Sequence, residues 1–142
     1  KLQAGLDSGE AAERFARMVA QLGGPADLVD NPDKYLEQAP IIVPVPALAA
    51  GFASATDTRG LGLAVVSLGG GRRRPEDAID FAVGLTGLAE LGDAIAVGQP
   101  LAMVHARTQA AAEQAVREVQ AAYQIGATRP AANPIIYRTI RP

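Results

Sequence analysis

Few side chains in this sequence can do chemistry, and the densest group of them is Gly69-Gly70-Gly71-Arg72-Arg73-Arg74-Pro75. The glycines open backbone conformations closed to other residues, and the arginines put positive charge directly after them. Two behaviours fit this pattern. One is a helix C-cap that runs into a solvated loop, the commoner use of such glycines. The other is a mobile anion-facing loop, in which glycine amides and an arginine fork meet a phosphate. A nucleotide P-loop is excluded, because no Lys-Ser/Thr pair follows to grip phosphate and magnesium. The only histidine is His105 and the only lysines are Lys1 and Lys34, so general bases and Schiff-base amines are nearly absent. A lone histidine at a strand end is more often structural than catalytic, and no Cys or second His accompanies it as a metal partner. Asp80, Asp93 and His105 could supply acid–base chemistry to a small independent enzyme, but nothing in their spacing brings them together.

The rest of the composition narrows the class. A chain of 142 residues has room for one domain or one and a fraction, and 49% hydrophobic with 20% charged residues is the balance of a folded protein. Thirteen Lys and Arg against fifteen Asp and Glu leave a net charge of −2, which offers no general attraction to nucleic acid or to an anionic membrane. The absence of Cys excludes a disulfide scaffold, a thiolate zinc site and a Cys nucleophile, and suits a reducing compartment. No apolar run approaches the ~20 residues of a membrane span, and Lys1-Leu2-Gln3 does not open a signal peptide. Lys1 to Leu6 has the character of a helix tail, so a piece of a longer, soluble, intracellular polypeptide is expected.

The elements that would position these groups follow from periodicity. Phe15, Met18, Val19 and Leu22 share one helical face, predicting a helix from about Ser8 to Leu22, capped by Asp7 or Ser8 and ended by Gly23-Gly24-Pro25. Asn31-Pro32 starts a short helix through Leu36. Ile41 to Val45 is β-branched and interrupted by Pro44, with Pro46 just beyond, which suits an edge strand, and Gly51 to Ala55 is its candidate partner. Thr56 or Asp57 caps a helix carrying Leu61, Ala64, Val65 and Leu68. Ala78 to Ala106 reads as short strands punctuated by Gly84, Gly87, Gly92 and Gly98. Thr108 caps a last helix with a stripe of Ala112, Ala115, Val116, Val119, Ala122 and Tyr123, which Gly126 ends. Ile135 to Ile140 is expected to close the fold as a strand.

Two resemblances emerge from these residues. Leu91-Gly92-Asp93 through Leu101-Ala102-Met103-Val104 resembles the half-barrel hairpin of biotinyl and lipoyl carrier modules, but a carrier needs a lysine at its hairpin tip and none follows Lys34. The second covers nearly the whole chain. It runs through Lys1-Leu2-Gln3-Ala4 to Ala11-Ala12-Glu13, the helix from Phe15 to Val19 with Gly24-Pro25, Asp57-Thr58-Arg59-Gly60-Leu61-Gly62, and Gly69-Gly70-Gly71-Arg72-Arg73. It continues through Asp80 to Val83-Gly84, Leu91-Gly92-Asp93, Pro100-Leu101-Ala102, Val104-His105-Ala106 and Ile136-Tyr137-Arg138. This collinear set looks like the C-terminal part of the pyrimidine-nucleoside phosphorylase family, the bacterial thymidine phosphorylases.

That resemblance implies an α+β fold: a small mixed or antiparallel sheet with a half-barrel, barrel-sandwich-like hammerhead hairpin flanked by helices. It implies a helical segment over 1–39 from the end of a larger α/β domain and a C-terminal domain over 40–142. It implies a parent enzyme, a cytoplasmic homodimeric pentosyltransferase of pyrimidine salvage, that converts thymidine and inorganic phosphate to thymine and 2-deoxy-α-D-ribose 1-phosphate. Phosphate is the co-substrate, and neither an organic cofactor nor a metal is called for. The family's phosphate loop and base-binding cluster fall before the position of Lys1, so no catalytic residue is assigned here and the chain alone is expected to be inert. The loop Gly69 to Asp80, with Gly70, Gly71, Arg72 and Arg73, is the one candidate for a direct role, closing a cleft over substrate. A stand-alone half-barrel interaction module without catalysis is the alternative.

Overall fold

A computed structural model of the chain describes residues 2–132, 134, 136 and 138–140. By internal contacts the chain divides into two units, residues 1–38 and 39–142.

The first unit holds helix α1 (Leu2–Asp7), helix α2 (Glu10–Gln21) and a 3-10 turn at Pro32–Lys34. The helix expected from Ser8 starts at Glu10 instead. Gly9 is its N-cap in a left-handed conformation with no side-chain cap, and the chain before it has already formed α1. Gly23-Gly24 ends α2 as expected, with the Gly24 amide donating to the Val19 carbonyl at 2.9 Å and the Gly23 amide to Ala20 at 3.1 Å. After Asn31-Pro32 the chain makes only the 3-10 turn, shorter than the helix through Leu36 that was expected. It is pinned by Asp27, whose carboxylate accepts from the Tyr35 hydroxyl and pairs with Lys34 Nζ at 3.3 Å. The Tyr35 hydrogen bond first, then Lys34, holds the Asp27 carboxyl below the usual aspartate range.

The second unit contains β1 (Ile41–Pro46), β2 (Gly51–Thr56), α3 (Thr58–Leu68), β3 (Gly84–Thr86), β4 (Ala94–Ile95), β5 (Pro100–Ala106), α4 (Gln109–Ala122) and β6 (Tyr123–Gly126). Two antiparallel three-stranded sheets form, in orders β1-β5-β3 and β4-β2-β6, and neither closes into a barrel. The fold is α+β. Strand β1 lies at an edge, where Pro44 and Pro46 remove no ladder bond that a central strand would need.

Three expectations are corrected. Strand β2 is not the partner of β1: residues 47–50 carry the chain to the other sheet, and β1 pairs with β5 in the register Ile41↔Ala106 and Val43↔Val104. The last helix ends at Ala122 rather than Gly126. Thr56↔Tyr123 pairing in the β2–β6 ladder draws Tyr123 into extended backbone, and the Asp57 amide donates to the Ala122 carbonyl at 2.8 Å, so tertiary pairing overrides local helix preference. The closing strand expected over 135–140 lies partly outside the described residues, and the described ones, 136 and 138–140, are not in a strand.

Both capping expectations for the second unit hold. Asp57 Oδ1 accepts from the Gly60 amide at 3.0 Å and Thr108 Oγ1 from the Ala111 amide at 3.2 Å, each satisfying a donor that the helix start leaves unpaired. The core lies where α3 and α4 meet and where α4 covers β5 and β1. Val45, Val104 and Val119 are its largest fully buried side chains, and the alanines at 112, 115 and 122 let α4 approach closely.

Candidate functional site

The glycine–arginine stretch follows directly from the end of α3. Gly69 takes φ 100°, a left-handed conformation that glycine adopts without the Cβ penalty, and its amide donates to Val66 O at 3.1 Å. The Gly70 amide donates to Val65 O at 2.9 Å, completing a double-bonded C-cap. A Cβ on Gly70 would stand 2.9 Å from Val65 Cγ1 and 3.2 Å from the Val83 carbonyl, so this residue is small because two backbone segments pass close by. The amides of Gly69 and Gly70 are therefore consumed by the helix end and do not face an anion.

Beyond them the loop is tied to itself. Asp77 Oδ2 accepts from the amides of Arg73 and Arg74, at 3.0 and 2.9 Å, and the Asp77 amide donates back to Arg74 O at 3.1 Å. At the far end, the Asp80 amide donates to Gly69 O at 3.0 Å, closing the loop at its neck. Arg107 from the end of β5 clamps Asp80 with Nε to Oδ2 at 2.6 Å and Nη2 to Oδ1 at 2.9 Å. Hydrogen bonding from Arg107, followed by that from the Ala82 amide, lowers the Asp80 carboxyl below its ordinary value. Arg73 Nη2 donates to Ser67 Oγ at 3.2 Å, whereas Arg72 and Arg74 extend into solvent. The neck is fixed and the arginine tip is presented outward, an arrangement that can offer a guanidinium to an anion.

With the geometry described, similarity to known proteins becomes informative. Residues 52–126, more than half of the chain, match the family model of the pyrimidine nucleoside phosphorylase C-terminal domain. The chain belongs to the pyrimidine nucleoside phosphorylase family. It is 57% identical over 140 residues to the thymidine phosphorylase of Burkholderia cenocepacia (strain HI2424), covering 99% of this chain and 32% of that relative. Against the thymidine phosphorylases of Burkholderia orbicola (strain MC0-3) and Burkholderia lata the identities are 58% and 56%, with the same coverage. The chain thus spans about a third of the length of the curated relatives it matches.

In this phosphorylase C-terminal domain the three acid–base candidates each have their own partners. Asp80 is held by Arg107, and Asp93 Oδ2 accepts from the Glu90 amide at 2.8 Å in the turn before β4. His105 Nε2 meets Thr86 Oγ1 at 2.8 Å across the β5–β3 pair. Among the described residues no three His, Cys, Asp or Glu side chains form a group that could hold a metal ion. A cleft of about 920 Å³ lies elsewhere in the unit, lined by Ser54, Thr56, Leu88, Tyr123 and Arg129 among others. Tyr123 is one of its lining residues, its hydroxyl donating to Ala89 O at 2.9 Å, and burial pushes that phenol above its usual value.

The residues that organise the loop escaped the sequence reading to different degrees. Asp77 carried a readable signal, since Pro75 at the second position of Arg74-Pro75-Glu76-Asp77 is the pattern of a turn. Arg107 carried none, because its partner is 27 residues away.

Proposed function

We propose that the chain is the C-terminal supporting part of a thymidine phosphorylase, the pentosyltransferase that converts thymidine and phosphate to thymine and 2-deoxy-α-D-ribose 1-phosphate. The observation that carries this reading is the match to relatives of that name across 99% of the chain, over only 32% of each relative. In the reaction a phosphate oxygen bonds to the anomeric carbon as the bond from that carbon to the pyrimidine nitrogen breaks, its electron pair leaving with the base. The site must hold a dianion, tolerate positive charge developing on the sugar and help the base depart.

In this reading the chain supplies no group that attacks the sugar or protonates the leaving base. His105 is engaged by Thr86, and Lys34 is engaged by Asp27. On the family resemblance the catalytic residues belong to the remaining two thirds of the enzyme, and no organic cofactor or metal is assigned to this part. The loop Gly69–Asp80 is its one contribution near substrate. Its neck is fixed by Gly69, Asp80 and Arg107, while Gly70 and Gly71 lead to Arg72 and Arg73, which close over the anionic end of the site. The parent enzyme is taken to be a cytoplasmic homodimer.

The test is phosphorolysis of thymidine by this chain alone and by a chimera in which it replaces the C-terminal third of the Burkholderia cenocepacia enzyme. The chimera should turn over and the chain alone should not; turnover by the isolated chain sinks the proposal. In the chimera, replacing Arg72 and Arg73 by Ala should change KM or kcat several-fold, and unchanged kinetics would reject the role of the loop.

A further inference from the structure

The cleft of the second unit is lined by two opposite charges that do not meet each other, and its walls are preformed. On one side Thr56 pairs with Tyr123 in the β2–β6 ladder, and Ser54 Oγ donates to Gln124 O at 3.0 Å. On another the turn from Ala89 to Asp93 is tied down by its amides: Ala89 donates to Leu101 O at 2.8 Å, Gly92 to Ala53 O at 2.8 Å and Asp93 to Glu90 O at 3.1 Å. The chain after β6 then brings Arg129 against that turn. Gly92 has φ 90°, and a Cβ built on it would stand 3.3 Å from Arg129 Nε and 3.7 Å from Arg129 Cγ, so the arginine rests where a side chain would otherwise be.

Arg129 and Glu90 are the two charged residues among those lining the cleft. Among the described residues neither side chain forms an ion pair or a hydrogen bond, with the other or with anything else. The cleft therefore presents a donor fork and an acceptor, with no net charge. A phosphate would satisfy Arg129 and be repelled by Glu90. A neutral ring with a carbonyl beside an N–H satisfies both. Leu61, Leu88 and Leu91 supply apolar wall for such a ring, and a volume of about 920 Å³ is in the range of small-molecule sites. We propose that this cleft of the C-terminal domain is itself a pyrimidine-binding site, in which a ring carbonyl accepts from Arg129 and the ring N–H donates to Glu90. The donor–acceptor pattern is read from the cleft, while the choice of a pyrimidine among neutral cyclic amides rests on the phosphorylase reading given above. Both charged groups stay exposed to water, so the site fills at about 1 mM ligand.

The test is titration of the isotope-labelled chain with thymidine and with thymine, followed by amide shifts in NMR spectra. Amides of residues 54–58 and 88–92 should move saturably. Saturable binding of either ligand carries the proposal, and tighter binding of thymidine places the sugar in the cleft as well. Arg129→Ala and Glu90→Ala, both at exposed positions, should each weaken binding about 10-fold with the rest of the spectrum unchanged, whereas Arg117→Ala on α4, outside this cleft, should not. N3-methylthymidine keeps the carbonyls and lacks the ring N–H. It should bind the parent chain about 10-fold more weakly than thymidine, and the two should bind Glu90→Ala equally. No saturable shift, equal affinity of the parent for thymidine and N3-methylthymidine, or inorganic phosphate moving these amides where thymine does not overturns the proposal. Turnover is read separately: an active chimera with no pyrimidine bound in the cleft of the chain removes this site and leaves the enzymatic reading standing, and binding in a chain whose chimera is inactive does the reverse.

Discussion

Gly70 and Gly62 offer the sharpest check on the packing around the arginine loop, because the same chemical change should move stability in opposite directions. At Gly70 an added Cβ would sit 2.9 Å from Val65 Cγ1, 3.2 Å from Val83 O and 3.3 Å from Val65 O. Val65 is β-branched and stiff on its helix, and the other two neighbours are backbone, so relief requires the loop neck to shift. Overpacking of this kind costs about 1–3 kcal/mol, and we expect Gly70→Ala to fall in that range. At Gly62, in the interior of α3, an added Cβ meets nothing within 4 Å and the position is exposed. There alanine removes only the entropic cost of glycine in a helix, so Gly62→Ala should stabilise by about 0.5–1 kcal/mol. Urea unfolding of the second unit followed by circular dichroism measures both, with the midpoint moving down for Gly70→Ala and up for Gly62→Ala at unchanged m. The reasoning fails if the two variants shift the same way, or if Gly70→Ala is as stable as the parent.

Other perturbations reach the caps and the loop clamp. Thr108→Ala removes the acceptor for the Ala111 amide at the start of α4 and should cost about 1 kcal/mol in the same unfolding assay, while Thr108→Ser should restore most of it. The Asp80 carboxyl should titrate below the usual aspartate value of about 3.9 when followed by NMR, and Arg107→Gln should move its midpoint back up. Because the folded group is the stronger acid, the clamp stabilises the loop fully above about pH 4 and its contribution is lost as pH falls through the folded value. Exchange in residues 71–80 should therefore accelerate in Arg107→Gln at neutral pH but differ little from the parent at the acid end; a pH-independent difference would contradict the charge account.

Much of the local structure was legible in the residues because its causes lie within a few positions of one another. Asp57 and Thr108 cap the helices their spacing announces, Gly69-Gly70 terminates α3, and Pro44 and Pro46 confine β1 to an edge. The collinear set of glycines, arginines and Gly-Asp turns that marks the family is likewise a property of the sequence read along its length. The scarcity of His, Lys and Cys was readable in the same way, and it directs attention to the unmatched two thirds of the relatives for the reactive groups.

The pairings that depend on distant residues were decided only by the tertiary structure. Adjacent strands most often pair, yet β2 leaves β1 for a sheet with β4 and β6, while α4 covers β1 and its distant partner β5. Tyr123 has the periodicity of a helical residue and becomes a strand residue because Thr56 offers it a ladder. The loop shows the division most clearly: its glycines and arginines are a feature of the sequence, but the neck closed between Asp80 and Gly69 is clamped by Arg107, which lies 27 residues beyond Asp80 and arrives just past the end of β5. Local geometry is set by short-range sterics and hydrogen bonds that a residue's neighbours determine. The choice among long-range partners depends on the burial and pairing of the whole unit at once, which no single stretch of sequence encodes.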